Sequence, residues 1–130
     1  MLLRKEVIEM ARCIIIKTDG EIELAESSGL EDLNRMVGGG IEGIPCRARP
    51  DAYTYINGEG KWEGLPVNEV AFEFLRRTGT ELFEGDFIAG NMIVVGMGDD
   101  GEDHDAPHDL AIQLMFISEQ RKAMADDTGE

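Results

Sequence analysis

Apolar and polar residues alternate in several short stretches of the chain, as they do in strands that expose one face. Glycine, proline, asparagine and aspartate residues separate these stretches. The pattern predicts strands over residues 12–17, 21–25, 41–46, 52–57 and 87–95. Residues 93–95 are all apolar, which predicts that the last strand is buried on both faces. Pro45 and Pro50 predict that the third strand is short or bulged, or lies at an edge, because proline has no amide hydrogen to donate to a neighbour.

Two helices are predicted where apolar residues recur at helical spacing, over residues 29–37 and 67–77. Ser27 or Ser28 is expected to cap the first helix, and Asn68 the second. Three glycines occupy positions 38–40. We interpret them as a helix end that leads into a strand, because the lysine and hydroxyl residue of a phosphate-binding loop do not follow them.

A third helix is predicted over residues 109–125, although residues 112–117 would also serve as a strand. Its expected inner stripe consists of Leu110, Leu114, Ile117 and Met124. An amphipathic helix at this position either covers the open face of the sheet or serves a dimer. The pattern is compatible with both roles.

These elements predict one small α+β domain, since 130 residues suit a single hydrophobic core. The expected sheet is mostly antiparallel or mixed, with two helices on one face and the C-terminal helix in addition. The predicted boundaries are an α+β domain over residues 1–97, an acidic glycine and aspartate linker over 98–108, the C-terminal helix over 109–125 and a disordered tail over 126–130.

Composition and charge restrict the partners and the location of the protein. The chain has 27 Asp and Glu residues against 12 Lys and Arg, which gives a formal net charge of −15. Such a surface repels phosphate backbones, so direct binding to nucleic acid is not expected. Three explanations of the acidity stay open: solubility alone, imitation of the charge of DNA, and adaptation to a salty cytoplasm. The sequence has no run of 18 apolar residues and no apolar signal-peptide core, so we expect a cytoplasmic protein without a membrane segment.

The residue types that commonly carry catalysis or bind metals are few. Cys13 and Cys46 lie in apolar or strand-like surroundings and are expected to be reduced thiols in the core. His104 and His108 lie far from both cysteines, in an acidic run. The sequence therefore predicts no metal site, no cofactor and no catalytic residue, because nucleophilic catalysis needs a base beside the nucleophile.

The stretch from Asn57 to Asn68 joins a predicted strand to a predicted helix and contains the only tryptophan, Trp62. Within and beside it, the candidate ligand- or partner-binding residues are Gly39, Glu42, Asn57, Glu59, Lys61, Trp62 and Asn68. Lys61 would offer a charge, Trp62 a stacking surface, and the glycine backbone a close approach to a ligand. Each residue also has a structural interpretation, such as a hairpin turn at Asn57 or a helix cap at Asn68.

Three functions are compatible with these residues. A non-catalytic protein that binds another protein is favoured by the small size and by the missing catalytic residues. A protein that binds a small molecule or nucleotide would use the loop of residues 57–68. An enzyme would need carboxylates such as Glu42 and Asp86 to converge in a cleft.

Residues 37–45, 55–68 and 85–96 together resemble family 3846 among the domains of unknown function. The specific part is Asn57 through Lys61 followed by Leu65-Pro66 and Asn68. The resemblance covers roughly residues 12–97 and leaves the acidic segment and the last helix outside. Proteins of this family are carried mostly by bacteriophages and other mobile elements, and no activity is assigned to them. The resemblance implies a phage-encoded accessory protein that binds a host protein in the host cytoplasm, with an anti-defence role as one form of this function.

Overall fold

An antiparallel sheet forms the centre of the protein. The computed structural model describes residues 10–128, with side chains as far as residue 124. The strands are β1 (Ala11–Ile16), β2 (Ile22–Ser27), β3 (Ile41–Pro45), β4 (Ala52–Asn57), β5 (Met92–Met97) and β6 (Asp103–His104). The helices are α1 (Leu30–Val37), α2 (Glu69–Arg77) and α3 (His108–Thr128). The strand order is β2-β1-β5-β4-β3, with β6 beside β5, which confirms the predicted α+β class and the edge position of β3.

The central strand β5 is buried on both faces, as its apolar run predicts, and it separates two hydrophobic clusters. Val94 and Met92 face a cluster built with α2 and α3, whereas Ile93 and Val95 face a smaller cluster built with α1. The prediction that both early helices lie on one face is therefore wrong. Because β5 is apolar on both sides, each face needs its own covering helix.

The helix caps agree with the sequence only in part. Asn68 caps α2 by accepting a hydrogen bond from the amide of Ala71 at 3.0 Å, and Gly38 ends α1 in the left-handed conformation, so both predictions are confirmed. The N-cap of α1 is Gly29, not Ser27 or Ser28. Ser28 instead donates its amide and its hydroxyl to the Asp32 carboxylate at 2.8 and 2.9 Å, and these bonds help to lower the pKa of Asp32 to about 2.

The acidic segment of residues 98–108, expected as a linker, is packed against the sheet. Its strand β6 pairs with the end of β5, where His104 lies opposite Gly96. Tyr55 donates its hydroxyl to Asp103 at 2.8 Å, and Arg12 forms an ion pair with Asp105 at 3.1 Å. The sequence did not predict this strand, because only two residues of the segment pair with the sheet and two residues cannot show an alternating pattern.

Helix α3 covers the same face of the sheet as α2. Leu110, Leu114 and Ile117 are buried, as predicted, whereas Met124 is 66% exposed. The helix continues to Thr128, so it includes part of the predicted tail over 126–130; the last two residues of that tail, and the first nine of the predicted domain, lie outside the described residues. Within residues 10–128, no helix combines the length and the apolar character needed to cross a lipid bilayer.

Arg49 links the start of α3 to the turn before β4 through two salt bridges. Its guanidinium donates to the carboxylates of Asp51 and Asp109 at nitrogen–oxygen distances of 2.8–3.1 Å. These bonds hold the pKa of both carboxyl groups below the ordinary aspartate value. The two charge pairs therefore stabilise the fold only while both carboxyl groups are ionised.

We expect Arg49→Met to lower the melting temperature by a few degrees at neutral pH, and to have little effect once the pH has fallen below the folded pKa values of Asp51 and Asp109, which lie below the ordinary aspartate value of 3.8. The folded pKa values are lowered, so the stabilisation is complete above 3.8 and is lost as the pH falls through the folded values. Thermal unfolding followed by circular dichroism across this range measures the difference. Arg47→Met is the control, because Arg47 is exposed and forms no ion pair with a described residue. A difference between the parent and Arg49→Met that persists at low pH would contradict the prediction.

Candidate functional site

Two loops lie side by side at one end of the molecule, residues 57–68 after β4 and residues 81–90 before β5, and we call them the loop pair. The amide of Asn68 donates to the carbonyl of Ile88 at 2.7 Å, and the amide of Gly90 donates to Pro66 at 2.8 Å. Val67 and Ala89 form an isolated antiparallel bridge. This pairing also explains why β5 begins at Met92 and not at residue 87, since the preceding residues pair with the other loop.

Asn68 lies inside the protein at the end of this loop, with only 1% of its surface exposed. Its side-chain nitrogen donates to the carbonyl oxygens of Ile16 and Gly90, both at 2.9 Å, while its side-chain oxygen caps α2. The side-chain nitrogen and the side-chain oxygen of Asn68 are therefore both engaged within the protein. Asn68 is a structural residue, which its predicted capping role had anticipated.

Asn57 holds the base of the loop in a similar way and is 2% exposed. Its side-chain nitrogen donates to the carbonyl of Val37 at 3.2 Å and to the carboxylate of Glu63 at 3.0 Å, and its oxygen accepts from the amide of Glu59 at 2.8 Å. Gly39 packs directly on this side chain: a methyl group there would lie 2.9 Å from the Asn57 nitrogen. The loop therefore meets the three glycines after α1, and protein atoms fill the contact.

Lys61 joins the two loops across the surface. Its ammonium forms a hydrogen-bonded ion pair with Asp86 and lies 4.8 Å from the centre of the Phe87 ring. The pair with Lys61, together with the amide of Phe87, lowers the pKa of Asp86. The charge that a bound ligand would use is already neutralised, and Asp86 is no longer a free carboxylate for acid–base chemistry with Glu42.

Two aromatic side chains stand almost fully in solvent on the loop pair. Trp62 is 88% exposed and Phe83 is 89% exposed. Trp62 directly follows Lys61, and the Phe83 carbonyl accepts a backbone hydrogen bond from Asp86 at 2.9 Å, so the Lys61 and Asp86 pair joins the two loop segments that carry the aromatic residues. Sequence reasoning named Trp62 but missed Phe83. The signal for Phe83 was an aromatic residue within an otherwise polar turn over residues 83–86.

The loop pair also carries several carboxylates. Four exposed glutamates belong to the loop pair: Glu59, Glu63, Glu81 and Glu84. Glu42 is exposed on the neighbouring β3 strand, beside Gly58 at the base of the loop. Of the predicted site residues, the structure thus places Gly39, Glu42, Asn57 and Glu59 at the base and Lys61 and Trp62 at the surface. The resulting surface is aromatic and negatively charged.

A separate cleft of about 640 Å³ lies between the end of β2 and the acidic segment. Three of the four carboxylates that line it have partners, since Asp103 accepts from Tyr55, Asp105 binds Arg12 and Asp100 binds His104. Across residues 10–128, no three His, Cys, Asp or Glu side chains are grouped so that they could hold a metal ion. Burial raises the pKa of Cys13, in the neighbouring strand β1, to about 11, so its thiol stays protonated at neutral pH.

The fold defines a small single-domain α+β protein. A family model described as a domain of unknown function, DUF3846, matches residues 10–117. The chain therefore belongs to this family, and the match extends through the acidic segment and into α3, which the sequence resemblance had left outside. No curated protein and no solved structure matches the chain.

Proposed function

We propose that the protein is a non-catalytic binding protein and that the loop pair docks on a protein partner. One observation carries the proposal: Trp62 and Phe83 are both nearly nine-tenths exposed on loops that are fixed by backbone pairing. Large aromatic side chains in solvent are costly, whereas in interfaces Trp and other aromatic residues supply much of the binding energy. Because the loops are already ordered, docking would require little loss of conformational entropy.

The partner that fits this surface carries an apolar pocket surrounded by Lys and Arg side chains. The aromatic residues would fill the pocket, and the glutamates of the loop pair would face the basic rim. Opposite charges around an interface increase the association rate and exclude wrongly charged partners. A net charge of −15 on the whole chain adds long-range attraction to any basic protein.

The resemblance to proteins of phages and mobile elements directs the proposal toward a protein of the host cell, met in the cytoplasm. A basic host protein that handles nucleic acid has the required surface charge, so interference with host defence is the form of this function that we favour. The acidity serves here as an attraction to the partner. It does not require an ordered imitation of DNA.

The geometry gives no support to a small-molecule site in the loop of residues 57–68. Asn57 and Asn68 use their amides within the protein, and Lys61 is paired with Asp86. A ligand would have to replace these contacts. The docking function needs no such replacement.

Truncation of both aromatic residues, Trp62→Ala with Phe83→Ala, is expected to weaken binding to the partner at least about 30-fold, as loss of a binding hot spot does. The partner is first isolated from a bacterial lysate with the parent protein, and affinities are then measured with the purified partner by calorimetry. Leu30→Ala is the matched control, because Leu30 is 60% exposed on α1, outside the loop pair. Equal affinity of the double variant, or equal weakening by Leu30→Ala, would reject the loop pair as the docking surface.

A further inference from the structure

Helix α3 carries apolar residues on the side that faces away from the sheet. Ile112, Met115 and Phe116 are 58%, 43% and 59% exposed, and we call them the outer stripe. They are spaced by three and four residues and therefore share one helix face, opposite the buried Leu110 and Ile117. A helix that is apolar on both sides is typical of a helix that is buried on both sides.

A groove of about 700 Å³ runs beside this helix, over the edge strand β2, and we call it the β2 groove. Among the residues that line it are Arg12, Ile14, Leu24, Glu26, Ala106 and Ala111. Leu24 projects from the sheet edge and is 61% exposed. Ala111 lies one helical turn before Met115, so the wall of the β2 groove continues into the outer stripe. The two features form one continuous surface, which is apolar along Leu24, Ala111 and the outer stripe and charged at the Arg12 and Glu26 side of the groove.

We propose that this surface binds a second copy of the same chain. The two copies pack α3 against α3 in antiparallel orientation about a twofold axis, and the outer stripe of each copy enters the β2 groove of the other. A twofold interface requires one self-complementary patch, and here a projecting stripe and a receiving groove lie next to each other on one chain. No other protein is needed to supply either half.

The exposed area is close to what a dimer needs. At about 200 Å² for a large side chain, Leu24 and the outer stripe expose roughly 400 Å² of apolar surface per chain. Two copies together contribute roughly 800 Å², and a modest polar rim brings the total to the ~1,000 Å² expected of a specific interface. The area therefore supports a reversible dimer rather than an obligate one.

Pairing of two β2 edges would leave the outer stripe of α3 uncovered, and one of its registers is also electrostatically unfavourable. In an antiparallel pair centred between Leu24 and Ala25, Glu23 of one copy would lie directly opposite Glu26 of the other. Like charges at directly opposed positions destabilise a sheet. The dimer contact is therefore made by the helices and the β2 groove, and the net charge of −15 on each copy opposes it at low salt.

Sedimentation equilibrium over a range of protein concentrations, at low and at high salt, tests this interface. The full chain is expected to dimerise reversibly, and more tightly at high salt because salt screens the repulsion. Leu24→Asp and Phe116→Asp, each at an exposed position, should each raise the dimer dissociation constant at least about 30-fold while the circular dichroism spectrum is unchanged. Leu30→Asp is the matched control, with 60% exposure against 61% for Leu24, and should dimerise like the parent.

A chain that stays monomeric under all of these conditions would overturn the proposal. A dimer that Leu24→Asp and Phe116→Asp leave intact would overturn it as well, as would a dimer that Leu30→Asp weakens equally. The test is independent of the proposed docking function, because Trp62→Ala with Phe83→Ala should leave the dimer unchanged. If that double variant dissociates the dimer, the contact belongs to the loop pair and not to α3.

Discussion

Replacement of Asn68 by alanine is expected to lower the free energy of unfolding by about 3–4 kcal/mol, the sum of a lost helix cap and the desolvation cost of two buried carbonyls. The side chain caps α2 through Ala71 and donates to the carbonyl oxygens of Ile16 and Gly90. It thereby joins the first strand, the loop pair and α2 at one buried point. Urea unfolding followed by circular dichroism measures the change.

Two further variants separate the cap from the buried donors. Asn68→Asp keeps an acceptor for the helix cap but places a carboxylate oxygen against both carbonyl oxygens, and we expect this repulsion to make the loss at least as large as that of Asn68→Ala. Asn34→Ala is the contrasting variant. The side-chain oxygen of Asn34 is buried without a hydrogen-bond partner among the described residues, so removal of this side chain should leave the free energy of unfolding unchanged or raise it. Stability of Asn68→Asp equal to that of the parent would reduce the role of Asn68 to capping alone.

Gly96→Ala is expected to lower the free energy of unfolding by about 2–3 kcal/mol, as overpacking of a rigid contact does. A methyl group at Gly96 would lie 2.9 Å from the carbonyl carbon of Asp105 and would overlap its oxygen. Both atoms belong to backbone, which cannot turn aside as a side chain can. The acidic segment must then move away from β5. Urea unfolding gives the energy, and hydrogen exchange of residues 98–106 should become faster in the variant.

Gly40→Ala provides the control for this substitution. A methyl group at Gly40 meets no atom within 4 Å, so its effect should stay within about 0.5 kcal/mol. If Gly96→Ala is as mild as Gly40→Ala and leaves hydrogen exchange unchanged, the acidic segment is not held against β5 in solution. The two glycines thus distinguish a packed segment from a linker.

The sequence predicted most of the elements because each has a strong local signal. Each of these signals depends on residues that are only a few positions apart in the sequence. Examples are the alternation in β2 and β4, the apolar run of β5 and the capping residue Asn68. Such signals located most of the predicted strands and helices to within one or two residues, although β5 begins five residues later than predicted. They do not say against which other element each strand or helix packs.

The assignment of helices to faces failed for this reason. Helical spacing shows that α1 has an inner side, through Leu33 and Val37, but β5 offers an apolar surface on both of its faces. Strand β6 escaped prediction because its two residues, Asp103 and His104, are polar and pair through the backbone. A strand of this kind has no side-chain pattern by which the sequence could predict it.

Only the part of the candidate site within residues 57–68 was predictable from the sequence. Lys61 and Trp62 stood out within residues 57–68, whereas Phe83 joins them through the pair of Lys61 with Asp86, 25 positions apart. Contacts at that separation leave no trace in local composition. Asn57 was correctly placed at a turn, yet its burial against Gly39 depends on a contact between two loops that the sequence does not specify.

The strand order also determines when the chain can fold during synthesis. Both hairpins, β1 with β2 and β3 with β4, close locally, but they share no hydrogen-bonded edge with each other. Strand β5 joins them, and it leaves the ribosome after all four. Until Met97 has emerged, each hairpin exposes its apolar face and an unpaired edge, so the nascent chain has a long period of risk for aggregation before the core can close.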